Sequence, residues 1–171
     1  ADDPLLPKAI PTLIDFMNRY PRVLCGYPDW NSINEDGSFR RHVTSREYDF
    51  SFMVRHHTCL PSVGSMFRSS VIKDVGYRDE TFRWLGDFDY WLRVGLAGDM
   101  KRVPATLATW RHRKGQASDD KSDDRATEHI RVIDKLFGKQ YAEAVCWANL
   151  VASVLCVTDS KAIGYLFKAL F

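Results

Sequence analysis

A run of almost wholly polar and charged residues over 111–125 separates two stretches of the chain that follow different structural periods. Before it, short apolar runs of the kind strands need alternate with three- and four-residue helical spacings. After it, only the helical spacings remain. The first stretch therefore calls for a sheet covered by helices, and the second for helices packed on one another. The change falls near residue 119, which predicts a mixed α/β part at 1–118 and a helical part at 119–171. With 171 residues, 45% of them hydrophobic, the chain has enough apolar material for a sizeable core.

Within 1–118, Leu6, Ile10, Leu13, Ile14 and Met17 recur at helical spacing, with Phe16 and Tyr20 widening the face. A helix ending at 18–20, before Pro21, is expected, and Pro11 either delays its regular start or kinks it. Residues 23–27 read as a strand buried on both faces, and Asp36-Gly37 as the tight turn of a hairpin. Residues 38–58 read as a loop, although Phe50, Phe52 and Val54 alternate as a short strand would. A short helix from Ser69 or Ser70 stops at Gly76, and a stronger one runs from about Asp87 to Gly98. The stretch 100–110 is extended, and its Pro104 suits an edge strand.

In the helical part, Ser122 or Asp123 caps a helix that ends at Gly138. A longer apolar helix is expected over 141–157 and a last one over 161–171. The run 144–157 would rise about 20 Å, against the roughly 30 Å of a bilayer core, so it does not span a membrane. It reads either as a buried cap helix or as half of a helical hairpin resting on a membrane surface or on another domain.

Lys plus Arg number 24 against 22 Asp plus Glu, a net charge of +2, and no basic stripe stands out, so nucleic acid is not an expected partner. Cys25, Cys59, Cys146 and Cys156 form no CxxC pair and read as reduced thiols of a cytoplasmic protein. His56-His57 is no metal motif, because adjacent side chains diverge on a strand, and a surface or structural use is expected. Phosphate-loop, HExxH and GxSxG patterns are absent from the sequence.

Four groups could carry chemistry. Asp2-Asp3 beside Pro4 offers hard oxygens suited to Mg²⁺ or Mn²⁺, or is simply a solvated acidic end. In Gly86-Asp87-Phe88-Asp89-Tyr90-Trp91-Leu92-Arg93, Asp87 falls at a helix N-terminus with its carboxylate available as a general base for a hydroxyl. The alternative is that both aspartates simply favour the helix N-terminus. Trp110-Arg111-His112-Arg113 could meet phosphate oxygens and a cation, or be a solvated loop. Pro61-Ser62-Val63-Gly64-Ser65 could let a substrate approach the backbone, or be a tight connection.

Taken in order, Asp-Asp-x-Leu-x-Pro, Gly-Ser-Met-Phe-Arg, Val-Gly-Tyr-x-Asp-Glu, x-Asp-Phe-Asp-Tyr-Trp-Leu-Arg and Val-Pro-x-x-Leu-Ala-Thr-Trp-Arg resemble the second half of an inverting family 2 glycosyltransferase of the GT-A fold. The resemblance covers about residues 1–118. It implies an incomplete GT-A-like mixed sheet followed by a helical segment, with an N-terminal nucleotide-recognition half missing and the segment inactive alone. It also implies that Asp2 and Asp3 are the remainder of a DxD-like motif holding Mg²⁺ or Mn²⁺, with His112 as a further ligand. Asp87 becomes the catalytic base, with Gly86 where the family commonly has glutamate. Gly64 and Ser65 fall near the donor or acceptor, and Arg111 and Arg113 near the diphosphate. The implied partners are a nucleotide-sugar donor and a saccharide or other hydroxyl acceptor. A metal-dependent nucleotidyl- or phosphotransferase, and a non-catalytic acceptor-binding or interaction scaffold, remain as alternatives.

Overall fold

A computed structural model describes residues 3–119, 122–138 and 141–170. The chain divides into two compact units: 1–49, 60–76 and 94–116 form the first, and 50–59, 77–93 and 117–171 the second. Both α-helices and a mixed β-sheet are present.

The first unit is a four-stranded sheet with a helix on it. Strand β1 (Cys25–Ile33) pairs in parallel with β4 (Met100–Arg111) along its whole length. A strand has two edges, so β2 (Phe39–Val43) and β3 (Met66–Phe67) share the other one, each antiparallel to a different end of β1. The strand expected over 23–27 is thus longer, and it runs through Pro28. That proline lacks the N–H a central strand uses, and it is tolerated because it falls in the gap between β3 and β2 and beside a register shift against β4. Ser45 Oγ fills the gap by donating to Pro28 O at 2.7 Å. The same shift absorbs Pro104, which lies between Val103, opposite Pro28, and Thr106, opposite Asp29.

Helix α1 (Ala9–Arg19) ends where expected, and Pro11 sits in its first turn, where a missing N–H costs little. Its buried stripe is Ala9, Leu13, Phe16 and Met17, packed with Val103 and Leu107 of β4. Ile10 and Ile14, expected on that face, are exposed, because the helix carries two apolar stripes and the sheet covers one. The hairpin forms as the Asp-Gly pair requires: Asn34 N–H donates to Ser38 O at 2.8 Å, and Gly37 takes φ +88°. Helix α3 (Ser70–Val75) stops at Gly76, which takes φ +75°.

Residues 50–56 are helical, not extended: α2 (Phe50–His56) buries Met53 and Val54. The governing pattern is Phe50, Met53, Val54 and His57, a three-four spacing that the Phe50, Phe52, Val54 alternation masks. In the second unit, α5 (Asp123–Phe137) is capped by Ser122, whose hydroxyl accepts the Arg125 N–H at 3.2 Å. Helix α6 (Ala142–Leu155) packs its small residues Ala144, Ala148 and Ala152 inward, with α5 and α7 (Asp159–Leu170) against it. No residue of α7 is buried, and Ile163, Leu166, Phe167 and Leu170 form an exposed stripe. Among the described residues, no helix is long and apolar enough to cross a membrane.

Candidate functional site

In the first unit, β1 and β4 end together at Ile33 and Arg111, and the carboxyl ends of parallel strands are where open α/β sheets take ligands. Residues 3–6 run beside the end of β4. Leu6 N–H donates to Leu107 O at 2.8 Å, Thr109 N–H to Pro4 O at 3.0 Å, and Arg111 N–H to Asp3 Oδ1 at 2.7 Å. His112 follows, with its N–H on Ile33 O at 2.8 Å and its Nδ1 3.2 Å from Gln116 Nε2. Gln116 Oε1 accepts the Arg113 N–H at 3.1 Å. The fold thus brings Asp3, Arg111, His112 and Arg113 to one strand end, while Asp2 lies outside the described residues. The Arg111 guanidinium donates from Nη1 to the hairpin carbonyls of Glu35 at 2.7 Å and Asn34 at 3.3 Å, so part of its donor set serves the turn.

Gly64 takes φ +76°, and a Cβ there would stand 2.7 Å from the Ala108 Cβ and 3.1 Å from Pro28 Cγ. Close packing on β1 and β4 alone demands glycine. Ser65 is occupied locally, its hydroxyl donating to Ser62 O at 2.6 Å and its N–H to the same oxygen at 3.2 Å. Both residues line a shallow apolar groove of about 320 Å³ with Leu5, Ile10 and Phe67.

Mg²⁺ is usually held by one or two carboxylates, with phosphates and waters completing its shell. The second oxygen of exposed Asp3 suits that habit, and no set of three or more His, Cys, Asp or Glu side chains poised for a metal occurs among the described residues.

The second unit holds Asp87, in the first turn of α4 (Gly86–Ala97). Asp87 and Asp89 have separate environments. Asp89 is fully buried, with Oδ1 2.7 Å from Lys135 Nζ and Oδ2 2.9 Å from Arg93 Nη2. Lys135 also holds Asp79 at 2.8 Å, and this hydrogen bond is the main reason the Asp79 carboxyl lies well below the usual range. Asp87 is exposed, its Oδ1 accepting the Phe88 N–H at 2.8 Å. It lines a cavity of about 360 Å³ with His57, Cys59, Trp84, Leu85 and Arg125. Cys59 is no nucleophile at neutral pH, because burial first and the Asp87 charge second push its thiol well up. At Gly86, a Cβ would meet Arg78 Nη2 at 3.1 Å, so a cationic group approaches where the resembled family carries glutamate.

Two buried features of this unit have no local signature. Glu128, 4% exposed, accepts the N–H groups of Arg83, Trp84 and Leu85 at 2.8, 2.9 and 3.0 Å. His129 Nδ1 lies 2.9 Å from His57 Nδ1, both rings are buried, and neither Nε2 has a hydrogen-bond partner. Burial pushes both imidazoles down, so both are neutral at pH 7. The one readable hint is that Glu128 and His129 share the three-four spacing of Val132 and Ile133 on α5.

No protein-family model and no curated protein sequence matches this chain.

Proposed function

We propose that the chain carries the acceptor side of an inverting nucleotide-sugar glycosyltransferase of family 2, GT-A type, with Asp87 as general base. The observation that carries the reading is the division of labour between the two aspartates of α4. Asp89 is held by Lys135 and Arg93, whereas Asp87 stands exposed on a cavity that also presents an indole, an imidazole and a guanidinium. Such a mixture of aromatic faces and polar groups suits a saccharide or another hydroxyl compound.

In this reading, an acceptor hydroxyl gives its proton to the Asp87 carboxylate. The oxygen forms a bond to the anomeric carbon, the bond to the nucleoside diphosphate breaks, and configuration inverts. Asp3, with Asp2, would hold Mg²⁺ or Mn²⁺, which when bound neutralises charge on the diphosphate. Arg113 is exposed two residues after Arg111, whose N–H binds Asp3, and supplies positive charge past the same strand end. The test is transfer from nucleotide sugars by the full-length protein, compared with its Asp87→Asn variant.

A second reading, an interaction module, is favoured by α7 alone, whose apolar stripe is exposed and flanked by Lys161 and Lys168. Co-sedimentation with phosphatidylglycerol vesicles, lost in Phe167→Asp, would support peripheral membrane contact.

A further inference from the structure

Glu128 and His129 are consecutive on α5 and so point about 100° apart around the helix. Each reaches a different component of the Asp87 cavity. The Glu128 carboxylate gathers three consecutive N–H groups, Arg83 on Oε1 and Trp84 and Leu85 on Oε2. These groups immediately precede α4. Trp84 and Leu85 line the cavity, and Asp87 follows two residues on. His129 meets His57, another lining residue, which takes a left-handed backbone with φ 47°.

A buried carboxylate is costly to desolvate, and a loop can be closed by carbonyl oxygens without one. What the carboxylate adds is three charge-assisted hydrogen bonds to one stretch of backbone, each stronger than a neutral equivalent. That stretch is then confined to a single conformation. Because α4 begins at Gly86, holding 83–85 holds where the helix starts and so the direction in which Asp87 leaves the backbone, while its Oδ1 accepts the Phe88 N–H.

We infer that Glu128 is a positioning residue for Asp87, clamping the backbone of 83–85 so that the Asp87 carboxylate meets the acceptor hydroxyl in one direction. The inference rests on the transferase reading. Glu128 itself does not touch substrate; it acts through the loop.

The test uses the encoded polypeptide and two variants, Glu128→Gln and Glu128→Asp. Glutamine keeps the length but offers one acceptor oxygen and turns an NH₂ toward the N–H groups. Aspartate keeps the charge and is shorter. Hydrogen exchange reads the amides of 83–85. Nucleoside diphosphate release with Mn²⁺ from a panel of UDP-, GDP- and dTDP-hexoses gives kcat and KM.

In Glu128→Gln, those amides should exchange at least about tenfold faster and kcat should fall about 10- to 100-fold, with KM for the nucleotide sugar within about twofold. Glu128→Asp should recover part of both, and it carries the test if the glutamine variant does not fold. Unchanged protection at 83–85 overturns the inference. So does lost protection with full kcat, provided Asp87→Asn is inactive in the same assay. A wild-type polypeptide inactive on the whole panel overturns the transferase reading, and this inference with it.

Discussion

His57 Nδ1 and His129 Nδ1 approach to 2.9 Å inside the second unit, so one imidazole donates its proton and the other accepts it. The pair is complete while the accepting ring is neutral. Protonating that ring removes the acceptor, and protonating either ring places a charge among Phe88 and the α2 and α5 backbones, with the Arg125 cation already opposing it at His129.

Stability should therefore fall on mild acidification. The unfolded histidines take protons near pH 6.5 and the folded ones only lower down, His57 at about 4. Between these values the unfolded state binds more protons, so the contribution is fully present above about 6.5 and is lost as pH falls. Urea unfolding should show a loss of about 1.4 kcal/mol per pH unit for each histidine between pH 6 and 5, removed by replacing His57 and His129 together with asparagine and leucine. The depressed carboxyls of Asp79 and Asp123 act in a lower window, below about pH 4, so they do not mimic it. A flat profile between pH 5 and 6.5 would be evidence against the buried neutral pair.

Two glycines with nearly the same backbone angle separate packing from conformation. Gly64 (φ +76°) has the Ala108 Cβ 2.7 Å from where its own Cβ would be, and Gly115 (φ +77°) has nothing within 4 Å. Gly115→Ala should cost about 1 kcal/mol, for the left-handed backbone alone. Gly64→Ala should cost about 2 kcal/mol more, because neither Ala108 nor Pro28 has a flexible end to move. Urea midpoints of the two variants measure the difference, and equal costs would mean that 64 does not press on the sheet.

Removing Lys135 leaves buried Asp89 with Arg93 only. Lys135→Met should cost about 3 kcal/mol, the scale for breaking one side of a buried ion pair. Thermal unfolding tests it. A loss under about 0.5 kcal/mol would place the network among surface pairs of little worth.

Several of these features were legible in the sequence. Asp36-Gly37 marked the hairpin, Ser122 the cap of α5, and Gly76 the end of α3, because each is a local backbone requirement stated by one or two residues. Other elements were not legible. Pro28 argues against a central strand unless one knows that β2 and β3 leave a gap at that point. The polar residues of β2 carry no apolar alternation, since that strand is exposed and held by backbone pairing to β1. Glu128 and His129 act on partners 43 to 45 and 72 residues away, and nothing local to 128 or 129 announces a carboxylate clamp or an imidazole pair. For the candidate site, position was easier to read than environment. Asp87 and Asp89 look alike in sequence, and only the fold shows one exposed and the other fully buried.

If Asp3 supplies an oxygen to a divalent cation, Asp3→Asn should raise the Mn²⁺ concentration needed for half-maximal nucleoside diphosphate release by about tenfold or more. EDTA should abolish release in the wild type, and added Mn²⁺ should restore it. An unchanged Mn²⁺ requirement in the variant would remove Asp3 from the cation.

The central claim is that Asp87 removes the acceptor proton while Asp89 serves the fold. The most direct measurement is nucleotide-sugar transfer by the encoded polypeptide, made alongside thermal unfolding, for Asp87→Asn and Asp89→Asn. The result expected is that Asp87→Asn unfolds within about 2 °C of the wild type and loses at least about 100-fold in transfer, while Asp89→Asn loses several degrees of stability. Undiminished transfer by a folded Asp87→Asn protein would contradict the claim.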